Sequence, residues 1–207
     1  MAAFSYVLLT DRKLYSEPVP KVISRALTQL HPMPGAVIVR EKDLPETAYE
    51  KLLAEVMAVC APYGVPVLAH AFPDSYVRLH AAGVHMPLFL WRAYSKVHPQ
   101  LKMLLSESGR KAAEHPCGLG ISIHSEAEAL EALHLGASYV TASPIFPTSC
   151  KPGATGKGTA FIARIHELTG LPVYALGGLQ WPDERETQFK LCGAAGAVVR
   201  SFVTKLI

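Results

Sequence analysis

Three short stretches carry the side chains of this chain that could do chemistry. Gly120-Ile-Ser-Ile-His-Ser125 runs an apolar segment into Ser122 and His124. Tyr139–Ala142 runs into Ser143, and the loop beyond it carries Thr148, Cys150 and Lys151. Residues two apart on an extended strand share a face, so Ser122 and His124 point the same way. An imidazole placed there can take a proton from carbon and return it elsewhere. Its reference pKa of ~6.5 leaves both forms accessible near neutrality. The competing role is structural, a His that caps the helical pattern beginning near Ser125.

A second set of residues suits an anion. Leu176-Gly177-Gly178-Leu179 and Val199-Arg200-Ser201-Phe202 each leave an apolar run for small or cationic residues. Glycine lets backbone N–H groups approach a ligand because no Cβ intervenes. Ser201 is expected to start a last helix, whose positive dipole end favours an anion. Read alone, Gly177-Gly178 is also compatible with a simple tight turn. Arg40 and Lys42 alternate at another strand end, and Arg offers a fork matched to carboxylate or phosphate. The same Arg-Glu-Lys-Asp run could instead be a solvated cluster of ion pairs. His70 and His85 end two further strands. The set holds few carboxylates, which argues against a divalent-metal cage. No His spacing suggests zinc. His80, His115, His134 and His166 fall in helical or linking segments and are expected at the surface.

These residues are positioned by alternating elements. Strands are expected at Ser5–Leu9, Ala36–Val39, Val65–Ala69, Gly83–His85, Leu119–Ile123, Tyr139–Ala142, Val173–Leu176 and Ala195–Val199. Most are apolar on both faces, as parallel strands covered by helices are. Helical periodicity lies between them: Leu44–Ala61, Glu126–Leu135 with Leu130 and Leu133 inward, Ala160–Thr169, and Pro182 to Leu191. The pattern predicts a (β/α)8 TIM barrel, with an open doubly wound sheet as the alternative. In such a barrel the strand ends meet at one site, and a phosphate commonly sits between the loops after strands seven and eight. Pro87 to Pro116 shows no clear strand and is expected to hold irregular structure plus one helix near Gln100–Glu114. The short stretch after the eighth strand leaves an edge for another subunit, so a homo-oligomer, a dimer, is expected.

Composition sets the outer bounds. The chain has 207 residues, half of them hydrophobic, which suits a single domain over residues 1–207. A net charge of +3 with no Lys/Arg block gives no nucleic-acid surface. No apolar run reaches the ~20 residues of a membrane span, and no secretory signal is recognisable. Four scattered cysteines without a C-x-x-C pair read as free thiols in a cytoplasmic protein.

Taken in order, these segments resemble the thiamine phosphate synthase/TenI superfamily. The resemblance runs from Leu9-Thr-Asp-Arg12 through Val39-Arg-Glu-Lys-Asp43, Gly83-Val-His85, Gly120-Ile-Ser-Ile-His124, Ser143-Pro-Ile-Phe-Pro-Thr148, Lys151 and Ala175-Leu-Gly-Gly-Leu179 to Gly193–Ser201. It implies a (β/α)8 barrel acting on a thiazole phosphate carboxylate in thiamine biosynthesis. Synthases of the superfamily join a pyrimidine diphosphate to the thiazole phosphate and release pyrophosphate. They hold Mg2+ with an aspartate at the end of the third strand and another after the fourth. The matching positions here are Ala71, preceded by His70, and Leu90, and neither side chain can ligate a metal. The TenI-type thiazole tautomerases move a proton and need no metal. Their Ser-x-His-Ser and Thr-x-Cys-Lys patterns match Ser122–Ser125 and Thr148–Lys151.

The resemblance therefore implies a cofactor-free tautomerase with His124 as acid/base. Arg40, Lys42, His70, Ser122, Ser143, Thr148 and Lys151 would bind substrate, and Gly177, Gly178, Arg200 and Ser201 would hold its phosphate. The alternatives are a Mg2+-dependent synthase and a non-catalytic binder of thiamine intermediates.

Overall fold

A computed structural model describes residues 4–111, 115–148, 153 and 155–201. Eight parallel strands close into a barrel in chain order: β1 (Ser5–Leu9), β2 (Ala36–Val39), β3 (Val67–His70), β4 (Gly83–Pro87), β5 (Gly118–Ile123), β6 (Tyr139–Ala142), β7 (Val173–Leu176) and β8 (Ala194–Val199). Closure comes from β8 pairing with β1, with Val7 opposite Val198. The expected (β/α)8 fold is what the chain adopts, and the open sheet is excluded. Strand ends differ from expectation by a residue or two; β3, for example, begins at Val67 rather than Val65.

The helices are α1 (Val19–Gln29), α2 (Glu46–Cys60), α3 (Pro73–Leu79), α4 (Leu88–Val97), α5 (Pro99–Lys111), α6 (Glu126–His134), α7 (Gly158–Thr169) and α8 (Glu186–Leu191). None of the described helices is long and apolar enough to cross a membrane. The stretch after Pro87 is a correction: two helices, α4 and α5, replace irregular structure with one. Pro99 stands at the first residue of α5, where its missing N–H is no loss, so it starts a helix there.

Helix α6 is a second correction. Leu130 and Leu133 face outward, 46% and 41% exposed, while Ala129 and Ala132 are fully buried. Alanine lets the helix lie close on the sheet, and the periodicity of the larger side chains pointed to the wrong face. Helix α7 behaves as expected, with Ile162 and Ile165 buried.

Two apolar layers result. The larger fills the space between strands and helices and includes Leu53, Val56, Trp91 and Phe189. The smaller lies inside the barrel around Val7, Ile38, Leu68, Tyr139, Tyr174 and Val198. Two tyrosine rings fit there because glycine stands opposite each. A Cβ at Gly120 would overlap Tyr139 and His85, and one at Gly196 would approach the Tyr174 ring to 2.7 Å. This floor seals the barrel and leaves the carboxyl ends of the strands open above it.

Candidate functional site

The strand ends frame two adjoining chambers. The smaller, about 190 Å3, is lined by Gly177, Gly178, Leu179, Thr148, Arg200 and Ser201. The larger, about 310 Å3, is lined by Lys42, His70, His85, Ser122 and His124 among others. Leu9, Arg40, Ser143, Leu176 and Val198 face both, so the chambers are continuous.

The chemistry of the smaller chamber suits an anion. Gly177 and Gly178 have φ of +104° and +69°, in the left-handed region that glycine adopts without strain. A Cβ on Gly178 would also lie 2.7 Å from the Pro147 carbonyl oxygen. Two cations stand across from these glycines. Arg200 Nη1 is 3.2 Å from Asp11 Oδ2, and Arg40 Nη1 is 4.0 Å from the same oxygen. Asp11 thus pairs with both guanidinium groups beside the chamber. Thr10 supports Arg40 from below, its Oγ1 accepting the Arg40 N–H at 2.9 Å. Thr10 in turn donates to the buried Glu41 at 2.8 Å.

In the larger chamber the hydrogen bonds fix which atoms face a ligand. His124 Nδ1 lies 2.8 Å from the Ser143 carbonyl oxygen. A carbonyl only accepts, so Nδ1 carries a proton, and Nε2 is the ring nitrogen left to meet a ligand. The cap of α6 is Ser125, whose Oγ accepts from Glu128 N at 3.1 Å. Glu128 reaches back to accept the His124 N–H at 2.5 Å. The helix end is therefore satisfied without the imidazole, and the capping role weighed for His124 passes to its neighbour.

Ser122 is held by a buried relay. Tyr139 is fully buried, and burial pushes its phenol well above the usual range. It therefore stays protonated, and donating to His85 Nδ1, 3.1 Å away, is what satisfies its buried hydrogen. His85 Nε2–H is left to donate to Ser122 Oγ at 2.8 Å, with Thr141 Oγ1 3.3 Å from the same nitrogen. Burial lowers His85 to a pKa of about 3, consistent with a neutral ring. Ser122, its oxygen already accepting, has its own hydroxyl hydrogen left for the chamber. His70 packs on His85 with ring centroids 5.8 Å apart. Burial first, then the neighbouring His85, hold its pKa well below the ordinary value. Its Nδ1 is buried without a hydrogen-bond partner.

The structure thus gathers Arg40, Lys42, His70, Ser122, His124, Ser143, Thr148, Gly177, Gly178, Arg200 and Ser201 around one continuous cleft. Lys151 lies outside the described residues, as does the helix expected to begin at Ser201. His80, His115, His134 and His166 are exposed, as expected. Sequence reasoning left several contributors without a role. Asp11 stood at a strand end but was given no part in the site. Glu128 was signalled by the Ser125-x-x-Glu128 capping pattern. The relay of Tyr139 and Thr141 behind His85 left no local signal, because its members come from three different strands.

The positions that the resemblance links to Mg2+ do not fit a divalent cation. Ala71 follows β3 with φ +62° and donates its N–H to the His85 carbonyl at 3.0 Å. Alanine and Leu90 supply no ligand atom. Asp74, the nearest acidic residue in sequence, accepts from Tyr94 OH at 2.6 Å. It lines a separate groove among α3, α4 and α5. Among the described residues, no three His, Cys, Asp or Glu side chains gather as a metal site.

Comparison with known proteins now adds to this geometry. The family model described as "Thiamine monophosphate synthase" matches residues 6–203. A provisionally named thiamine-phosphate synthase 2 of Aquifex aeolicus (strain VF5) is 32% identical over 191 residues, covering 91% of this chain and 90% of that protein. Thiamine-phosphate synthase 2 of Streptococcus pneumoniae serotype 4 is 28% identical, covering 97% and 88%. Among solved structures, the thiamine phosphate pyrophosphorylase from Pyrococcus furiosus superposes with a TM-score of 0.71 at 23% identity, covering 98% and 91%. At that identity the superposition speaks for the fold alone.

Proposed function

We propose, from the premise that this chain belongs to the thiamine monophosphate synthase family, that it is a metal-independent thiazole tautomerase of thiamine biosynthesis. One observation carries the reading. An imidazole held through Nδ1, with Nε2 left for a ligand, lines a chamber continuous with the glycine turn and its two arginines, while the residues at the family's metal positions are Ala71 and Leu90.

The geometry supports the following steps. The substrate phosphate sits on the Gly177-Gly178 turn opposite Arg200, with Ser201 and Thr148 at its rim. Arg40, with Lys42 at the mouth, pairs with the ring carboxylate. His124 Nε2 removes the proton from C2 of the thiazole. The electron pair of that C–H bond becomes the C2–N double bond, and the ring C–N double bond shifts to join C4 and C5. The exocyclic double bond then takes the proton back from the His124 imidazolium. No atom is gained or lost, and the ring becomes aromatic. The Ser122 hydroxyl, with its hydrogen directed at the chamber, stabilises the negative charge that develops as the C2 proton leaves.

Turnover of the exocyclic tautomer by wild type and His124→Ala tests this. Loss of a general acid–base group lowers the rate roughly 100- to 10,000-fold. An unchanged rate overturns the assignment.

A second reading, the thiamine phosphate synthase itself, is favoured by the names of the relatives. Pyrophosphate release on mixing the protein with the pyrimidine diphosphate, the thiazole phosphate and Mg2+ would establish it in place of the first.

A further inference from the structure

The carbonyl groups of the glycine turn are each held by a specific donor, and one of those donors lies outside the cleft. Gly177 O accepts from Phe146 N at 3.1 Å. Gly178 O accepts from Arg185 Nη2 at 2.9 Å. Neither Phe146 nor Arg185 lines the smaller chamber, whereas Gly178 and Leu179 do. In a trans peptide the C=O and the following N–H point in opposite directions. Pulling the Gly178 carbonyl toward Arg185 therefore turns the Leu179 N–H toward the chamber, and the Phe146 bond does the same for Gly178 N–H.

Arg185 is itself fixed with unusual completeness. Its Nε donates to Asp183 Oδ1 and its Nη2 to Asp183 Oδ2, both at 2.7 Å. The second Nη2 hydrogen serves Gly178 O. The guanidinium carbon lies over the Phe146 ring, 3.9 Å from its centroid, on the loop after β6. Asp183 has a fully buried side chain and also accepts from Gln180 N at 2.9 Å. Its own N–H donates to Tyr6 OH of β1 at 2.9 Å. One side chain thus ties the loop after β7 to the loop after β6, and the pair is anchored on the barrel wall.

We infer that Arg185 is a positioning residue of the anion site, holding the Gly178 carbonyl so that the Leu179 amide donates to the bound phosphate. The inference rests on the phosphate part of the proposed function and is the same whether the chemistry is isomerisation or coupling. Lysine does not replace it. An ammonium cannot chelate Asp183, reach Gly178 O and stack on Phe146 together.

The test uses 15N-labelled full-length protein titrated with inorganic phosphate and with the thiazole ethyl phosphate. In wild type the Leu179 and Gly178 amide resonances move on saturation. In Arg185→Met and Arg185→Lys the Leu179 response is lost, and the phosphate Kd rises about 10- to 100-fold, the worth of one hydrogen bond to a charged acceptor. Binding of the dephosphorylated thiazole alcohol stays unchanged, and KM for the phosphorylated ligand rises while kcat holds. Arg185→Met leaves Asp183 buried without its partner, so the double variant Arg185→Met/Asp183→Asn is measured beside it and gives the same loss. Wild-type phosphate affinity with an intact Leu179 response in these variants refutes the inference. Wild-type amides that ignore phosphate remove the anion site itself, and the positioning role falls with it.

Discussion

Acidification from pH 7 to pH 5 isolates the buried histidines beneath the cleft. His85 is 3% exposed, and burial lowers its pKa from 6.5 to about 3. The unfolded chain offers an imidazole that titrates near 6.5. Below that pH the unfolded state takes up a proton that the folded state refuses. The unfolded state then binds more protons, so stability falls as pH falls. The contribution is complete above pH ~6.5 and is lost progressively down to the folded value. By pH 5 the loss is about 2 kcal/mol, taking 1.36 kcal/mol for each of the ~1.5 pH units crossed. His70 adds loss of the same sign, since its pKa is also lowered by burial.

Urea unfolding at several pH values between 7 and 5 measures the slope. In His85→Gln the slope falls by the amount assigned to that residue, because glutamine does not titrate. The window lies above the range where carboxylates protonate, which keeps their contribution out of the comparison. A wild-type stability that is flat from pH 7 to 5, or a His85→Gln protein with an unaltered slope, refutes the buried neutral imidazole. The assigned direction of the relay to Ser122 would then fail too.

Two further perturbations test the scaffold. Tyr49→Phe removes a fully buried hydroxyl that donates to Val39 O at 2.8 Å and accepts from His70 N at 2.7 Å. Leaving both backbone groups unpaired costs about 2 kcal/mol or more, read as a lower urea midpoint without change in the slope of the transition. Gly178→Ala places a Cβ against the Pro147 carbonyl at a left-handed φ. It is expected to lower stability by about 1–2 kcal/mol and to weaken phosphate binding in a direct titration, and wild-type values for both would contradict the tight glycine turn.

Much of the architecture was legible along the chain because parallel strands buried on both faces are continuous apolar runs, and β1, β2, β6 and β7 fall where those runs lie. Helix faces were less legible. On α6 the larger leucines suggested the inner face, but the close approach of helix to strand selected Ala129 and Ala132. After Pro87, α5 falls close to the one helix expected near Gln100–Glu114, whereas α4 was missed because its opening Leu88-Phe-Leu-Trp91 is a continuous apolar run without helical period. In the site, Ser122 and His124 were legible because they sit two apart where β5 ends. Arg185 was not, since it lies seven residues beyond Gly178 and acts on a carbonyl rather than on a ligand.

The sequence by itself determined the order of the eight strands, their place to within a residue or two, and the lack of carboxylates at positions 71 and 90. The strands follow from the period of the apolar runs, a local property, and the two positions are singled out by the family resemblance. Only the tertiary structure decided which atom of each polar group faces the cleft. The protonated nitrogen of His124 depends on the carbonyl of Ser143, nineteen residues away. The hydrogen left on Ser122 depends on Tyr139 through His85. Hydrogen-bond direction is set by partners brought together when the barrel closes, and no stretch of chain contains both ends of those bonds.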